Sequence, residues 1–278
     1  MNYDRMWSNL NYELGRLETA SGGLSSALEG LELQQRNSGF IKDDLKEVRR
    51  INFESASDAD LSFRVQLNPR RADRHVGAGV LSPPAGEKKV NNGCFLCREN
   101  IRWQQNNCQI GFEIFTDNRQ YNALMNPFPL LPNHVVFASQ EHIPQAFRLP
   151  DEHGDRVTID HIVNDLCEIA RRLPGHVGFY NGVDAGASIP GHLHYQFFQR
   201  AQDNPIFPLE LRQFSKAGGV GTPEFVENYP INVLRWSGEK TVVTQNFLKW
   251  IIDWLKNNEF RRDILTCNLI CSSSGHKG

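Results

Sequence analysis

The sequence predicts an α+β fold with a mainly antiparallel sheet flanked by helices. Three observations carry that expectation. Apolar residues recur at helical spacing in the first, middle and last parts of the chain. Short alternating segments of strand length lie between them. The helices and strands do not follow a regular βαβ order, which argues against a parallel, doubly wound sheet.

Residues 4 to 56 read as helix. Trp7, Leu10, Leu14 and Leu17 share one stripe, Leu45, Val48 and Ile51 resume the spacing, and Ser21-Gly22-Gly23 interrupts it. Residues 1–56 are therefore taken as a helical N-terminal segment, and 57–278 as the main domain. Leu61 to Leu67 alternates as a strand and is ended by Asn68-Pro69. Residues 69 to 93 are basic and rich in Gly and Pro, so a loop is expected. Phe112–Thr116, Tyr121–Met125 and His134–Ala138 read as strands. From 156 to 173, Ile159, Ile162, Val163, Leu166, Ala170 and Leu173 form one apolar stripe of a helix. Val177–Tyr180 is a further strand. Phe247, Trp250, Ile251, Trp254 and Leu255 mark a last amphipathic helix, and Ile264–Cys271 a last strand.

Composition narrows the function. A net charge of -2 over 278 residues argues against a protein that coats nucleic acid, which would be basic. No apolar run reaches the ~18 residues of a membrane span, and the N-terminus lacks the basic start and apolar stretch of a signal peptide. Six cysteines in so long a chain do not suggest a disulfide scaffold, so a cytoplasmic, reducing setting is expected.

The most informative block is Asn181-Gly-Val-Asp-Ala-Gly-Ala-Ser-Ile-Pro-Gly-His-Leu-His-Tyr-Gln196. As a strand, His192-x-His194-x-Gln196 would present two imidazoles and an amide on one face, with Leu193, Tyr195 and Phe197 on the other. Gly186-Ala187-Ser188 would let a ligand approach the backbone. A neutral imidazole can attack phosphorus and hold a covalent nucleotidyl intermediate, while an amide donates to a phosphate oxygen. A bare His-x-His also suits two histidines facing solvent; the small-residue loop before it and the glutamine after it favour the phosphate reading.

Two other motifs stand out. Cys94-Phe-Leu-Cys97 suits half of a tetrahedral zinc site, with histidines completing it. A redox pair and two ordinary loop cysteines are the alternatives, although the preceding residues lack the strand-to-helix context of a redox motif. Asn68-Pro69-Arg70-Arg71-Ala72-Asp73-Arg74 offers guanidinium forks that match phosphate oxygens, or else forms a solvated surface.

Together these motifs resemble the galactose-1-phosphate uridylyltransferase branch of the histidine-triad superfamily, which includes nucleotide-sugar and dinucleotide phosphorylases. The resemblance covers roughly residues 61 to 200 and is absent over the first 55. It implies a histidine-triad-like fold, His194 as the nucleophile and Gln196 as the residue that steadies the phosphoryl group. It implies Asn181, Gly186 and Ser188 in the phosphate loop, and Arg71 and Arg74 at phosphates. For a structural zinc it implies Cys94, Cys97, His192 and His142, with His134 the competing candidate. The spelling of the histidine block is nearer to the phosphorylases, and Gly191 between Pro190 and His192 departs from the uridylyltransferases. Relatives usually continue past the point where this chain ends, as expected of a truncated or divergent member. The implied function is nucleotidyl transfer from a nucleoside diphosphate sugar or dinucleotide to phosphate or a sugar phosphate. A histidine-triad hydrolase and a non-catalytic nucleotide-binding protein are the alternatives. No nucleic acid polymer or membrane is an expected partner, and a homodimer is the assembly that the resemblance suggests.

Overall fold

A computed structural model describes residues 2–54, 62–75, 79–146, 157–202, 205–216, 218–219, 221–227, 229–258 and 267–274. The chain opens with α1 (Tyr3–Leu17), capped by the Asn2 side chain, which accepts from the Asp4 amide at 2.9 Å. A π-type turn (Glu18–Gly22) leads into α2 (Gly23–Asn37), and Gly23 at φ 59 makes the break that Ser21-Gly22-Gly23 foretold. Tyr3, Trp7, Leu10 and Leu14 of α1 are buried, as are Leu24, Ala27, Leu28 and Leu31 of α2.

The helical reading of residues 4 to 56 fails beyond Asn37: residues 38–48, with Leu45 and Val48, are turn and irregular chain, Leu45 at φ 65. Residues 49–54 are strand β1 (Arg49–Glu54), paired antiparallel with β2 (Ser62–Leu67) in the register Ile51↔Val65 and Phe53↔Phe63. Ile51 and Phe53 alternate as well as recurring at helical spacing, and pairing with β2 selects the extended form. The proposed segment boundary at 56 lies outside the described residues.

A six-stranded, wholly antiparallel sheet forms the centre. Its strands are β3 (Phe112–Phe115), β4 (Gln120–Met125), β5 (Val135–Ser139), β6 (His176–Asn181), β7 (His194–Gln199) and β11 (Asn268–Ser272), in the spatial order β11-β6-β7-β5-β4-β3. Helices α1, α2 and α4 (Ile159–Arg172) pack on it: α1 touches β3, α2 touches β4, and α4 touches β6 and β11. Tyr195 and Phe197 of β7 join Val135 and Phe137 of β5 and the α1–α2 side chains in one core cluster. Each of these fully buried side chains contributes roughly 1.5–3 kcal/mol. α5 (Lys240–Asn257) covers α4 through Ile251 and Leu255 against Ile159 and Val163. Residues 214–235 add a small sheet of β8 (Phe214–Lys216), β9 (Glu224–Val226) and β10 (Leu234–Arg235), for which the sequence offered no readable pattern.

The side-chain period of 2 sends His194, Gln196 and Phe198 to the opposite face from Tyr195 and Phe197. There Phe198 packs with Val177, Leu131 and Ala201 in a separate cluster, next to Leu130, Phe179 and Phe207. The expected α+β fold with an antiparallel sheet flanked by helices is the observed one.

Asp165 of α4 is fully buried and accepts from Tyr121 Oη at 2.6 Å, Asn118 Nδ2 at 2.8 Å and Arg119 Nε at 3.3 Å. These donors offset its desolvation and tie α4 to the β3–β4 turn.

Gly178 of β6 lies opposite Phe197, and a Cβ there would stand 2.2 Å from the buried Phe197 ring. Gly178→Ala is therefore expected to cost about 1–3 kcal/mol by overpacking. A urea denaturation midpoint equal to that of the native chain would contradict this.

Candidate active site

The site forms where β5, β6 and β7 meet the loops at their ends. β7 begins at His194, so His192 precedes the strand rather than standing in it as the alternation suggested. The His192 ring instead turns to the Cys-x-x-Cys turn. Cys94 Sγ is 3.3 Å from His192 Nδ1, Cys97 Sγ is 3.4 Å from His142 Nδ1 and 3.7 Å from His192 Nδ1, and the two Nδ1 atoms are 3.3 Å apart. All four ligand atoms lie within 4.8 Å of one another. A tetrahedral zinc with ordinary bond lengths would need about 3.3 Å between two nitrogens and about 3.6 Å between nitrogen and sulfur. The four residues fit such an ion. His134, the competing ligand candidate, is not among them.

The supports of this cluster are equally specific. Cys97 is the N-cap of α3 (Arg98–Gln104), a helix missed in the sequence, and the Cys97 amide donates to the Cys94 carbonyl at 3.3 Å. Asn91 Nδ2 donates to Cys97 Sγ at 3.3 Å. The two sulfurs share a hydrogen bond that draws the Cys94 thiol below its ordinary range, helped by His192, and pushes Cys97 up. Arg98, the first residue of α3, lies 4.4 Å over the Trp7 ring and pairs with Asp4 at 3.0 Å. The N-terminal helix thus braces the turn that carries both cysteines.

Backbone groups fix the proton on three histidines. His192 Nε2 is 2.7 Å from the Ser139 carbonyl, and His194 Nδ1 is 2.8 Å from the His192 carbonyl. A carbonyl only accepts, so each of these nitrogens carries the hydrogen. That leaves His192 Nδ1 as a lone pair facing the sulfurs and His194 Nε2 as a lone pair, with no protein partner among the described residues. Burial, His194 being only 4 % exposed, pushes its imidazole below the ordinary histidine value. His194 is thus a neutral base with its unprotonated nitrogen defined by geometry.

His134 has the opposite tautomer. The Leu130 amide donates to His134 Nδ1 at 3.0 Å, so Nε2 is the protonated nitrogen and donates to Gln196 Oε1 at 3.1 Å. Gln196 is half-buried, and its amide nitrogen has no acceptor among the described residues.

Asn181 ends β6, and its Oδ1 is buried without a partner among the described residues. Gly186, at φ 101, sits against it: a Cβ there would be 3.6 Å from Asn181 Nδ2. Ser188 is exposed on the same loop. Gln145, which the sequence reading passed over, is fully buried and joins the parts. Its Nε2 donates to the carbonyls of Asn181 at 2.5 Å and His194 at 3.3 Å, and its amide donates to the Pro190 carbonyl at 2.8 Å.

Arg71 stands in a 3₁₀ turn (Pro69–His75) where a loop was expected, and its guanidinium donates to the Phe128 carbonyl. It is close enough to His134 to disfavour a positive charge there. Arg70 points elsewhere, pairing with Glu47 at 3.2 Å on the surface. The Arg74 side chain lies outside the described residues. His134 shares the side-chain parity of Val136, which lies opposite Gln196 in the β5–β7 register. That pairing was not legible without the sheet order.

The fold is the histidine-triad-like α+β arrangement that the resemblance implied. The chain belongs to the family described as domain of unknown function DUF4922, whose model matches residues 31–199. It is 30% identical over 110 residues to the bis(5'-nucleosyl)-tetraphosphatase [asymmetrical] of Schizosaccharomyces pombe, a match that takes in 37% of this chain and 60% of that protein. The chain thus spans less than two thirds of that relative's length. Among solved structures, yeast Ap4A phosphorylase Apa2 in complex with Ap4A superposes with a TM-score of 0.53 at 13% identity, covering 87% of this chain and 77% of that one. This likeness is one of fold. The same yeast protein without that ligand gives 0.49 at 14% identity, over 87% and 75% of the two chains.

Three buried imidazoles give stability a pH dependence. Desolvation lowers the pKa values of His134, to about 4, and of His176 and His194. Unfolding returns each to near 6.5, so between these values the unfolded chain binds more protons and stability falls as pH falls. For His134 alone the loss is on the order of 3 kcal/mol. Urea midpoints should drop from pH 7 to pH 4.5, and less steeply in His134→Phe; equal slopes would refute the assignment.

Proposed function

We propose that this chain is a nucleotidyl-transfer enzyme acting on dinucleoside polyphosphates, with phosphorolysis as its reaction and nucleotidyl-His194 as its intermediate. The observation that supports it most directly is the His194 Nδ1 contact with the His192 carbonyl, 2.8 Å, which leaves a neutral Nε2 as the attacking atom. Nε2 forms a bond to the α-phosphorus, the bridging P–O bond breaks, and the nucleoside polyphosphate leaves with the electron pair. The Nδ1 proton stays on Nδ1, hydrogen-bonded to the His192 carbonyl, which steadies the positive ring. An oxygen of inorganic phosphate then attacks the same phosphorus, the N–P bond breaks, and a nucleoside diphosphate is released. Atoms and charge balance without a redox partner.

Gln196, Ser188 and the amides of the Gly186 loop stabilise charge on the non-bridging oxygens. Arg71 and Arg74 neutralise the departing phosphates. Asn181 and Gly186 shape the loop. A nucleoside diphosphate sugar would use the same chemistry, but the relatives named for dinucleotides favour a dinucleotide. Hydrolysis is the second reading, favoured by the tetraphosphatase relative. Gln196 in place of the third histidine usual in histidine-triad hydrolases places it second.

A zinc ion held by Cys94, Cys97, His142 and His192 would be structural, because four protein ligands leave no open position for substrate. Such an ion would tie the cysteine turn to the peptide before His194. Purified protein is expected to contain about one zinc per chain, and Cys94→Ser to retain much less. Metal-free protein with unchanged stability in both forms would remove the metal from this account.

Trapping tests the function itself. The protein is mixed with radiolabelled diadenosine tetraphosphate and quenched in base, and an acid-labile phosphoramidate is sought. Label is expected on the native chain, absent in His194→Ala, and discharged faster when phosphate is added. Discharge at equal rates with and without phosphate would establish hydrolysis, and no label at any concentration would leave a binding protein.

A further inference from the structure

We propose that His134 is a positioning residue, which holds the Gln196 side chain with its oxygen turned inward and its NH₂ group turned toward the reacting phosphoryl oxygens. The proposal deepens the nucleotidyl-transfer reading and rests on it for the identity of those oxygens. An amide side chain has two ends of similar shape and opposite polarity. Presented by its nitrogen it donates to phosphate; presented by its oxygen it repels phosphate. Something must therefore specify the end.

In this structure a backbone group does so through one ring. The Leu130 N–H can only donate, so His134 Nδ1 must accept, at 3.0 Å. In a neutral imidazole the hydrogen then resides on Nε2. Nε2–H requires an acceptor, and the atom 3.1 Å away is Gln196 Oε1. The polarity of the backbone amide is thus relayed to the Gln196 nitrogen without ambiguity. The ring itself has little freedom: it is 3 % exposed and packs edge-on against Phe198 at 6.1 Å. Among the described residues, Arg71 on the 3₁₀ turn is the charged group that acts on it. Both a buried setting and a nearby guanidinium keep the ring neutral, which the relay needs. His134 is not one of the four clustered ligands Cys94, Cys97, His142 and His192; its partners are Leu130, Gln196 and Phe198.

The test uses the full chain and two kinds of readout. The first needs no activity. Long-range ¹⁵N–¹H correlation of the histidine rings at pH 7 should show His134 protonated at Nε2 only, and the Gln196 side-chain amide resonances should move in His134→Phe. A His134 ring protonated at Nδ1 or charged, or unmoved Gln196 resonances, would overturn the proposal even if the native chain transfers no nucleotide. The second readout is the rate of labelling by diadenosine tetraphosphate. His134→Phe should lower kcat about 10–100-fold with KM nearly unchanged. His134→Gln, which keeps an acceptor and a donor on one side chain, should restore most of the rate. In a Gln196→Ala background His134→Phe should cost no more than about threefold further, because the group it positions is gone. Full multiplication of the two losses would mean that His134 acts only by supporting the fold, and would overturn the proposal. A native chain that takes no label sinks the nucleotidyl-transfer reading, while the ring and amide resonances still decide the role of His134.

Discussion

The site depends on backbone groups deciding where histidine protons sit. Two carbonyls, of Ser139 and His192, and one amide, of Leu130, settle the tautomers of His192, His194 and His134. None of these is a side chain that could rotate away. The two carbonyls lie where β5 pairs with β7, in the register that sets Ala138 opposite His194 and Val136 opposite Gln196, and the Leu130 amide lies in the connection leading into β5. The Ser139 amide bonds the Leu193 carbonyl at 3.0 Å and continues that pairing to the residue between the histidines. A slip of one residue would turn Tyr195 and Phe197 out of the core and His194 and Gln196 into it. The cost of exposing those two rings is what enforces the register. The hydrophobic core, then, sets the protonation of the site from the far face of the sheet.

Burial has a second consequence. The helices α1, α2 and α4 make one face of the sheet dry, and the cluster around Phe198 partly dries the other. His194 therefore sits where a charged imidazole is disfavoured. Under the proposed mechanism the ring keeps its lone pair there, and the positive charge that would develop during attack is met by the His192 carbonyl. Gln145 limits the freedom of the surrounding loop, because it bonds the carbonyls on both sides of it, at Asn181 and His194.

Much of this was legible in the sequence where one local pattern governed. The paired stripes of Trp7, Leu10 and Leu14 and of Ile162, Leu166 and Ala170 became helices, because burying a stripe is a local demand. Cys94-x-x-Cys97 with His142 and His192 converged as the resemblance implied, since the ligand chemistry leaves few alternatives. What failed depended on distant partners. Ile51 satisfied both a helical and an alternating pattern, and only β2 resolved it. His192 kept the parity of a strand yet lies before it, because its ring is claimed by the cysteine turn. His134 was weighed as a metal ligand because residue type was all that could be read. Its partner is 62 residues away in the chain.

The His192 residue joins the two halves of the site more tightly than adjacency alone requires. Its Nδ1 faces the cysteines, its Nε2–H donates to the Ser139 carbonyl, and its own carbonyl accepts the hydrogen bond from His194 Nδ1–H. One peptide thus carries three constraints, and none can be moved without the others. If the ring tilts, the carbonyl that defines the His194 tautomer tilts with it. The cluster consequently need not touch substrate to matter for chemistry, because the geometry of His194 Nδ1 is set by the residue that the cluster anchors. The brace of Arg98 on Trp7 extends the same chain of support to the first helix, so that a segment with no functional motif of its own helps hold the His194 ring in place.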